Sequence, residues 1–270
     1  MAFIKLGNLT LWYDIRGHGP RVVFIPGTAS DLRQQLTIFA SPLIEHFEVL
    51  SFDPRGIGQS NSPDAAPTMV DYARDVHSLL QTLGWTTCAC IGESFGGMVA
   101  QEFALNYPDR IDKLVLVVTS SGGKGGSSFP FHDYDISHMT VEERAEFWVH
   151  CCDSRVSQPQ WQAAHPQLYQ QQYDTYLQVF QLGATNPDRT VFSERQIYAR
   201  KLHNTYERLP QLTMPTYIYG DRYDKVAPLA NQVALWQQIP EARLAIFNGS
   251  HMVLWQDALA FQSIIGFLLG

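Results

Sequence analysis

Thr86-Thr87-Cys88-Ala89-Cys90-Ile91-Gly92-Glu93-Ser94-Phe95-Gly96-Gly97-Met98 leads from a strand-like run, through a Gly-x-Ser-x-Gly pentapeptide, into the helix-like run Met98 to Asn106. The five letters alone are weak evidence. Their placement between a strand and a helix is what a nucleophile elbow requires. Small residues at 92 and 96 let the backbone turn sharply and leave the Ser94 hydroxyl exposed beyond the end of the strand. The start of the following helix then aims unpaired N–H groups and a partial positive charge at any oxyanion formed there.

The pattern on either side is that of alternating strands and helices. A hairpin (Phe3 to Leu6, a Gly7-Asn8 turn, Leu9 to Ile15) precedes apolar strands at Arg21 to Ile25 and Glu48 to Phe52. Thr68 and Asp71 form a capping box for an amphipathic helix closed by Gly84. After the elbow comes the unbroken apolar strand Lys113 to Val118. Apolar strands separated by amphipathic helices predict an α/β fold, with a mostly parallel central sheet covered by helices on both faces.

At Ser120 the regime changes. The Gly/Ser tract 120–128 reads as a flexible connection, and no strand-like run follows until about Pro215. Helices are predicted from Thr140 (capping box with Glu143), across 159–182, and from Ser193 (capping box with Gln196). Strands resume at Thr216 to Tyr219 and Arg243 to Phe247, with a helix at Leu229 to Gln238 between them and a last helix from about Asp257. The division is a core of 1–120 and 211–270 interrupted by an inserted helical cap, 121–210.

Composition narrows the function. With 270 residues, 45% of them apolar, the chain can bury a substantial core. A net charge of −7 without a basic stripe argues against nucleic acid as a partner. No apolar run has the length of a membrane span or signal peptide, so no membrane partner is expected. Cys88, Cys90, Cys151 and Cys152 match neither a zinc site nor a disulfide framework and read as buried thiols of a cytoplasmic protein. No cofactor and no metal is implied, and the chain is expected as a monomer or homodimer.

A serine at neutral pH needs a base, and the base an orienting acid. Of nine histidines, His251 alone follows a core strand through a short loop, Asn248-Gly249-Ser250. Asp221 and Asp224 both lie in the loop after the preceding strand. The order Ser94, Asp224, His251 puts each group at a strand's carboxyl end. His132 and His138 lie near the entrance to the cap, and Asp53 and Arg55 read as structural.

These segments resemble the α/β-hydrolase-fold superfamily along nearly the whole chain, in the branch of 3-oxoadipate enol-lactonases, carboxylesterases, proline iminopeptidases, cofactor-free haloperoxidases and meta-cleavage C–C hydrolases. The resemblance rests on Phe24-Ile25-Pro26-Gly27-Thr28, on Asp53 to Ser60, on the elbow through Met98, on Tyr107 to Ile111, and on the Asp224 and His251 loops. It implies an oxyanion hole from the backbone N–H groups of Thr28 and Phe95, and it favours Asp224 over Asp221 because Pro228 keeps the family's offset from the acid. Three departures stand out: Pro26-Gly27 replaces the usual His-Gly, the acid loop is one residue longer than usual and leaves Asp221 as a rival to Asp224, and Glu93 sits beside the nucleophile. Glu93 reads either as a buried structural carboxyl or as a group that tunes the field of the site.

The expected activity is a serine hydrolase acting on a small or medium carboxylic ester or lactone, with a small-molecule acyl substrate. Alternatives are a C–C bond hydrolase or cofactor-free haloperoxidase using the same triad, and a ligand-binding receptor with little turnover. Cap aromatics including Phe129, Phe131, Tyr134, Trp148, Trp161, Tyr169, Tyr176, Phe180, Phe192 and Tyr198 are available to line a pocket. Among Arg144, Arg155, Arg189, Arg195, Arg200 and Lys201 there could be one carboxylate-binding group.

Overall fold

In the computed structural model, the described residues are 1–62, 66–185 and 187–270. Eight strands form one sheet: β1 (Ala2–Leu6), β2 (Leu9–Arg16), β3 (Arg21–Ile25), β4 (Glu48–Phe52), β5 (Cys88–Glu93), β6 (Ile111–Val117), β7 (Thr216–Asp221) and β8 (Arg243–Phe247). Their order across the sheet is β1-β2-β4-β3-β5-β6-β7-β8. The hairpin strand β2 runs antiparallel to both β1 and β4, and every other pairing is parallel. The connections between parallel strands act as crossovers, so the carboxyl ends of the parallel strands lie along one edge of the sheet.

Helices α1 (Met69–Thr82), α2 (Phe95–Asn106) and, past the cap, α7 (Leu229–Gln238) lie on one face of the sheet. There Ala73, Val76, Leu80, Val99 and Phe103 pack on Val23, Ile25, Cys90, Leu114 and Leu116. The short α8 (Val253–Gln256) and α9 (Ala258–Leu269) close the other face, where Val253, Phe261 and Ile264 meet Val22, Phe24, Ile91, Val115 and Val117. Consecutive residues of β3, β5 and β6 thus enter opposite cores, which is why their inner runs, such as Val22 to Ile25 and Leu114 to Val117, are apolar instead of alternating. No helix of the described residues is long and apolar enough to cross a membrane. All four cysteines are buried free thiols.

Between β6 and β7 lie the inserted helices α3 (Val141–Cys152), α4 (Pro159–Ala164), α5 (Pro166–Ala184) and α6 (Pro187–Leu202). The capping boxes at Thr68 and Thr140 are both present. The one anticipated at Ser193 is not. Helix α6 starts at Pro187, so Ser193 lies inside it, and Gln196 turns into the interior, where its Oε1 accepts the Ala29 N–H at 2.9 Å. The single helix expected across 159–182 is two, broken at His165 before Pro166.

The Gly/Ser tract is not the loose connection its composition implied. Ser120 and Ser121 are fully buried, Ser120 and Ser128 share a 3.0 Å hydroxyl contact, and Asn231 donates to the Ser127 carbonyl at 3.1 Å. Gly122 pairs with Asn204 in an isolated bridge, and a Cβ there would stand 1.9 Å from the His203 carbonyl oxygen. Glycine at this position permits close backbone approach between the start and the end of the insertion.

Candidate active site

Ser94 joins β5 to α2 with φ 53° and ψ −114°, a conformation that costs a non-glycine residue of the order of 1–3 kcal/mol. The surrounding structure holds it there. The Ser94 N–H donates to Val117 O at 2.9 Å, and its carbonyl accepts from Thr119 Oγ1 at 2.7 Å and from the Gly97 N–H at 3.0 Å. Helix α2 crosses so close to β3 that a Cβ on Gly96 would lie 2.0 Å from Ile25 O. That approach is why a glycine follows the serine two residues on.

At Ser94 Oγ the hydrogen-bond chain begins. His251 Nε2 is 2.8 Å from Ser94 Oγ, and His251 Nδ1 is 2.8 Å from Asp224 Oδ2. The other Asp224 oxygen accepts the Val226 and Ala227 N–H groups at 2.7 and 2.9 Å, so the carboxylate is fixed before it meets the imidazole. Asp221 does not enter the chain. It ends β7 and is completely buried, and the nearby Arg222 and Tyr223 N–H groups, which draw on it weakly, are bonded instead to Phe247 O at 3.1 Å and Gly249 O at 3.2 Å. Burial, reinforced by the Asp224 charge, raises its carboxyl to about 7.

The backbone N–H groups of Thr28 and Phe95 take no acceptor among the described residues. Thr28 is a wall of the cavity, and Phe95, itself buried, follows Ser94 as the first residue of α2. The Thr28–Ala29 segment is held from above by the cap: besides Gln196 on Ala29, Arg200 Nη1 donates to Thr28 Oγ1 at 3.1 Å. Ala29 itself has φ 58°. Replacing the usual histidine by Pro26 is therefore accompanied by two side chains of α6 on the same loop.

A cavity of about 880 Å³ opens over Ser94 and His251, within the range of about 300–1,000 Å³ usual for small-molecule sites. Phe131, Trp148, Tyr176, Phe180 and Met252 give it apolar walls, and Glu93 contributes a carboxyl to its floor. Glu93 is half-buried and makes no hydrogen bond among the described residues; burial lifts it to about 7, while the His251 charge pulls the other way. Of the other cap residues singled out by sequence, His132, Tyr134, Arg144, Arg195 and Tyr198 line the cavity. His138 is exposed and outside it, Trp161 lies over Arg155, and Tyr169 hydrogen-bonds Glu146. The side chains of Arg189 and Phe192 lie outside the described residues. Asp53 accepts the Leu32 and Gln59 N–H groups at 2.7 and 2.8 Å, and Arg55 pairs with Asp75 at 2.6 Å, so both shape a loop away from Ser94.

Sequence reading overlooked the segment that carries the Asp224 and His251 loops. The last turn of α3 and the residues after it touch both. Cys152 O accepts the His251 N–H at 3.2 Å, Ser154 N–H donates to Tyr223 O at 3.0 Å, and Asp153 bridges Asp224. Arg155 donates to the Asn248 carbonyl at 3.0 Å, is paired with buried Asp153 at 2.7 Å, and lies over the Tyr223 ring. The one linear signal was Asp153-Ser154-Arg155 directly after a helix, a common surface pattern. Among the described residues no group of three or more His, Cys, Asp or Glu side chains is placed to hold a metal ion.

A strand–serine–helix elbow under an inserted helical cap, with histidine and aspartate at the ends of later parallel strands, defines a class, and residues 20–258 match the family described as alpha/beta hydrolase fold: the chain belongs to it. Among curated proteins it is similar to a poly(3-hydroxyalkanoate) depolymerase of Ectopseudomonas oleovorans, with 26% identity over 234 residues covering 84% of this chain and 76% of the relative. It also resembles a putative carbamate hydrolase RutD of Azorhizobium caulinodans, at 23% identity over 93% of this chain and 91% of that one. Among solved structures, an enol-lactonase from Burkholderia xenovorans LB400 superposes over the full length of both chains with a TM-score of 0.79 and 21% identity, a likeness of fold.

Proposed function

We propose that the protein is a serine hydrolase of small or medium carboxylic esters or lactones, acting through an acyl-enzyme on Ser94. The observation that carries this reading is the chain Ser94 Oγ–His251 Nε2 at 2.8 Å and His251 Nδ1–Asp224 Oδ2 at 2.8 Å, opening into the cavity. A relatives' set that includes a poly(3-hydroxyalkanoate) depolymerase is in keeping with acyl–oxygen cleavage.

Ser94 Oγ attacks the carbonyl carbon as its proton passes to His251 Nε2. Asp224 holds the Nδ1–H tautomer and stabilises the imidazolium. The Thr28 and Phe95 N–H groups receive the oxyanion, and one such donor is commonly worth about 10²–10³ in rate. Nε2 then returns the proton to the leaving oxygen, whose bond to the carbonyl carbon breaks. Water repeats the sequence, with His251 as base, to release the acid and regenerate Ser94. The working units in this reading are a core of 1–120 and 211–270 and a cap of 121–210.

Intact-mass analysis after treatment with a fluorophosphonate tests the proposal. One adduct on the wild type, absent from Ser94→Ala and His251→Ala, is expected, followed by turnover in an ester and lactone series. A folded wild type that acquires no adduct and cleaves no ester or lactone refutes it.

A further inference from the structure

The partly or fully buried arginines differ in what offsets their charge: away from the cavity, Arg110 donates to the Trp85 and Thr86 carbonyls at 3.3 and 3.2 Å, and three others have carboxylates. Arg55 has Asp75 at 2.6 Å, Arg155 has Asp153 at 2.7 Å, and Arg208 has Glu102 at 3.0 Å. Arg200, only 9% exposed, forms no ion pair among the described residues. Its partners are the neutral Thr28 hydroxyl at 3.1 Å and the face of the Phe131 ring at 5.3 Å, and Nη2 is buried with no hydrogen-bond partner. The groups that act on it electrostatically are the buried Cys152 thiol and then Asp224, whose oxygens are already committed to His251, Val226 and Ala227. Burial pushes the guanidinium down to about 10, so it remains a cation at neutral pH.

Withdrawing a guanidinium from water costs several kcal/mol, and an attached anion is what normally offsets that cost. A role as a simple strut for Thr28 does not account for the charge. Gln196, one turn earlier on the same face of α6, already grips that loop through Ala29 with a neutral amide. Arg200 also lines the cavity, against the side chain of Thr28, the loop residue to which the proposed mechanism assigns an oxyanion donor. The missing partner is therefore to be sought in the ligand. A planar fork of N–H donors matches a carboxylate in shape as well as in charge.

We infer that Arg200 is a substrate-recognition residue, and that the ester or lactone cleaved at Ser94 carries an ionised carboxylate a few bonds from its reacting carbonyl. This rests on the serine hydrolase reading above for the reaction, but not for the binding. The spacing follows from Arg200 touching the side chain of Thr28, to whose backbone N–H the proposed mechanism assigns the oxyanion. A carboxylate on Arg200, a cavity-lining side chain only 9% exposed, would be bound next to the Thr28 loop. Half-esters of short dicarboxylic acids, and lactones bearing a carboxylate, have this arrangement.

The test compares monomethyl succinate and monomethyl glutarate with the matching methyl ester amides, which replace the carboxylate by a neutral group of similar shape. In the wild type the half-esters should have kcat/KM about ten- to a hundredfold higher, the range of a hydrogen bond to a charged partner. Arg200→Met should collapse that ratio towards one, and Arg200→Lys, which keeps the charge and the fold, should retain part of it. Calorimetric titration of Ser94→Ala with the same pairs reads binding without turnover, and the preference should vanish in Ser94→Ala/Arg200→Met. No carboxylate preference in either measurement overturns the inference, even where fluorophosphonate labelling upholds the hydrolase. So does an Arg200→Met that slows half-ester and amide by one common factor, which would mark a role in the oxyanion loop alone. Arg200-dependent binding to Ser94→Ala by a protein that cleaves neither ester would uphold the recognition site and refute the hydrolase.

Discussion

Asp221→Asn should stabilise the protein in a manner that depends on pH. The wild-type carboxyl is completely buried and is raised from 3.8 to about 7 by burial first and by the Asp224 charge second, against a smaller opposing pull from the Arg222 and Tyr223 N–H groups. Its folded state binds the proton more tightly than its unfolded state does. The fold therefore enjoys its full stability below about pH 4 with respect to this group, and loses stability as pH rises through 7. At about 1.36 kcal/mol for each pKa unit, the loss above pH 7 is of the order of 4 kcal/mol. An asparagine removes the charge but buries an amide N–H₂ in its place, and where those donors are left unpaired this takes back about 1–3 kcal/mol. A net gain of about 1–3 kcal/mol at pH 8, shrinking to nothing or reversing at pH 5, is the expected result of paired urea titrations. Fluorophosphonate labelling of Ser94 should persist in Asp221→Asn, whereas Asp224→Asn should slow it by about 10⁴ by offering His251 the wrong tautomer. A stability difference that does not change between pH 5 and 8 would refute the assignment of Asp221 as a buried carboxyl ionising near neutrality.

Three further outcomes can be checked with the same preparations. Glu93, lifted to about 7 on the cavity floor, places a negative charge near the oxyanion only above that pH, so Glu93→Gln should remove a limb near pH 7 from the kcat/KM profile; superimposable profiles would deny it any influence on the reaction. Ser94→Gly should melt at a higher temperature than Ser94→Ala, by the equivalent of about 1–2 kcal/mol, because both lose the hydroxyl but only glycine relieves φ 53°. Arg155→Met leaves the carboxylate of Asp153 buried and without its cation, and frees the Asn248 carbonyl; a loss of about 3 kcal/mol in urea titration is expected, together with slower labelling of Ser94, and a loss below about 1 kcal/mol would count against the clamp.

Where the chain states its structure locally, the linear reading and the three-dimensional one coincide. Ser94 between a run of β-formers and a run of helix formers is an elbow whatever surrounds it, because only small residues at 92 and 96 fit beside Ile25 and Ala100. The unbroken apolar strands state that both faces of the sheet are covered, since a strand with a wet face alternates. Capping boxes at Thr68 and Thr140 close on themselves within four residues and are legible for that reason. Ser193 carried the same letters and failed, because Gln196 was taken up by Ala29, a partner 167 residues away in the chain.

By itself, then, the sequence determined the α/β order, the elbow, the inserted helical segment and a short set of residues from which a triad could be drawn. Tertiary structure alone decided which aspartate faces His251, that the Gly/Ser tract is packed and not loose, and that Arg200 is buried without an anion while Arg155 has one. Propensity, periodicity and capping act over one or two turns of chain and can be read along it. Desolvation and charge pairing depend on which distant segments meet a side chain: Asp221 and Asp224, three residues apart, are both buried, but only Asp224 meets His251, 27 residues further on.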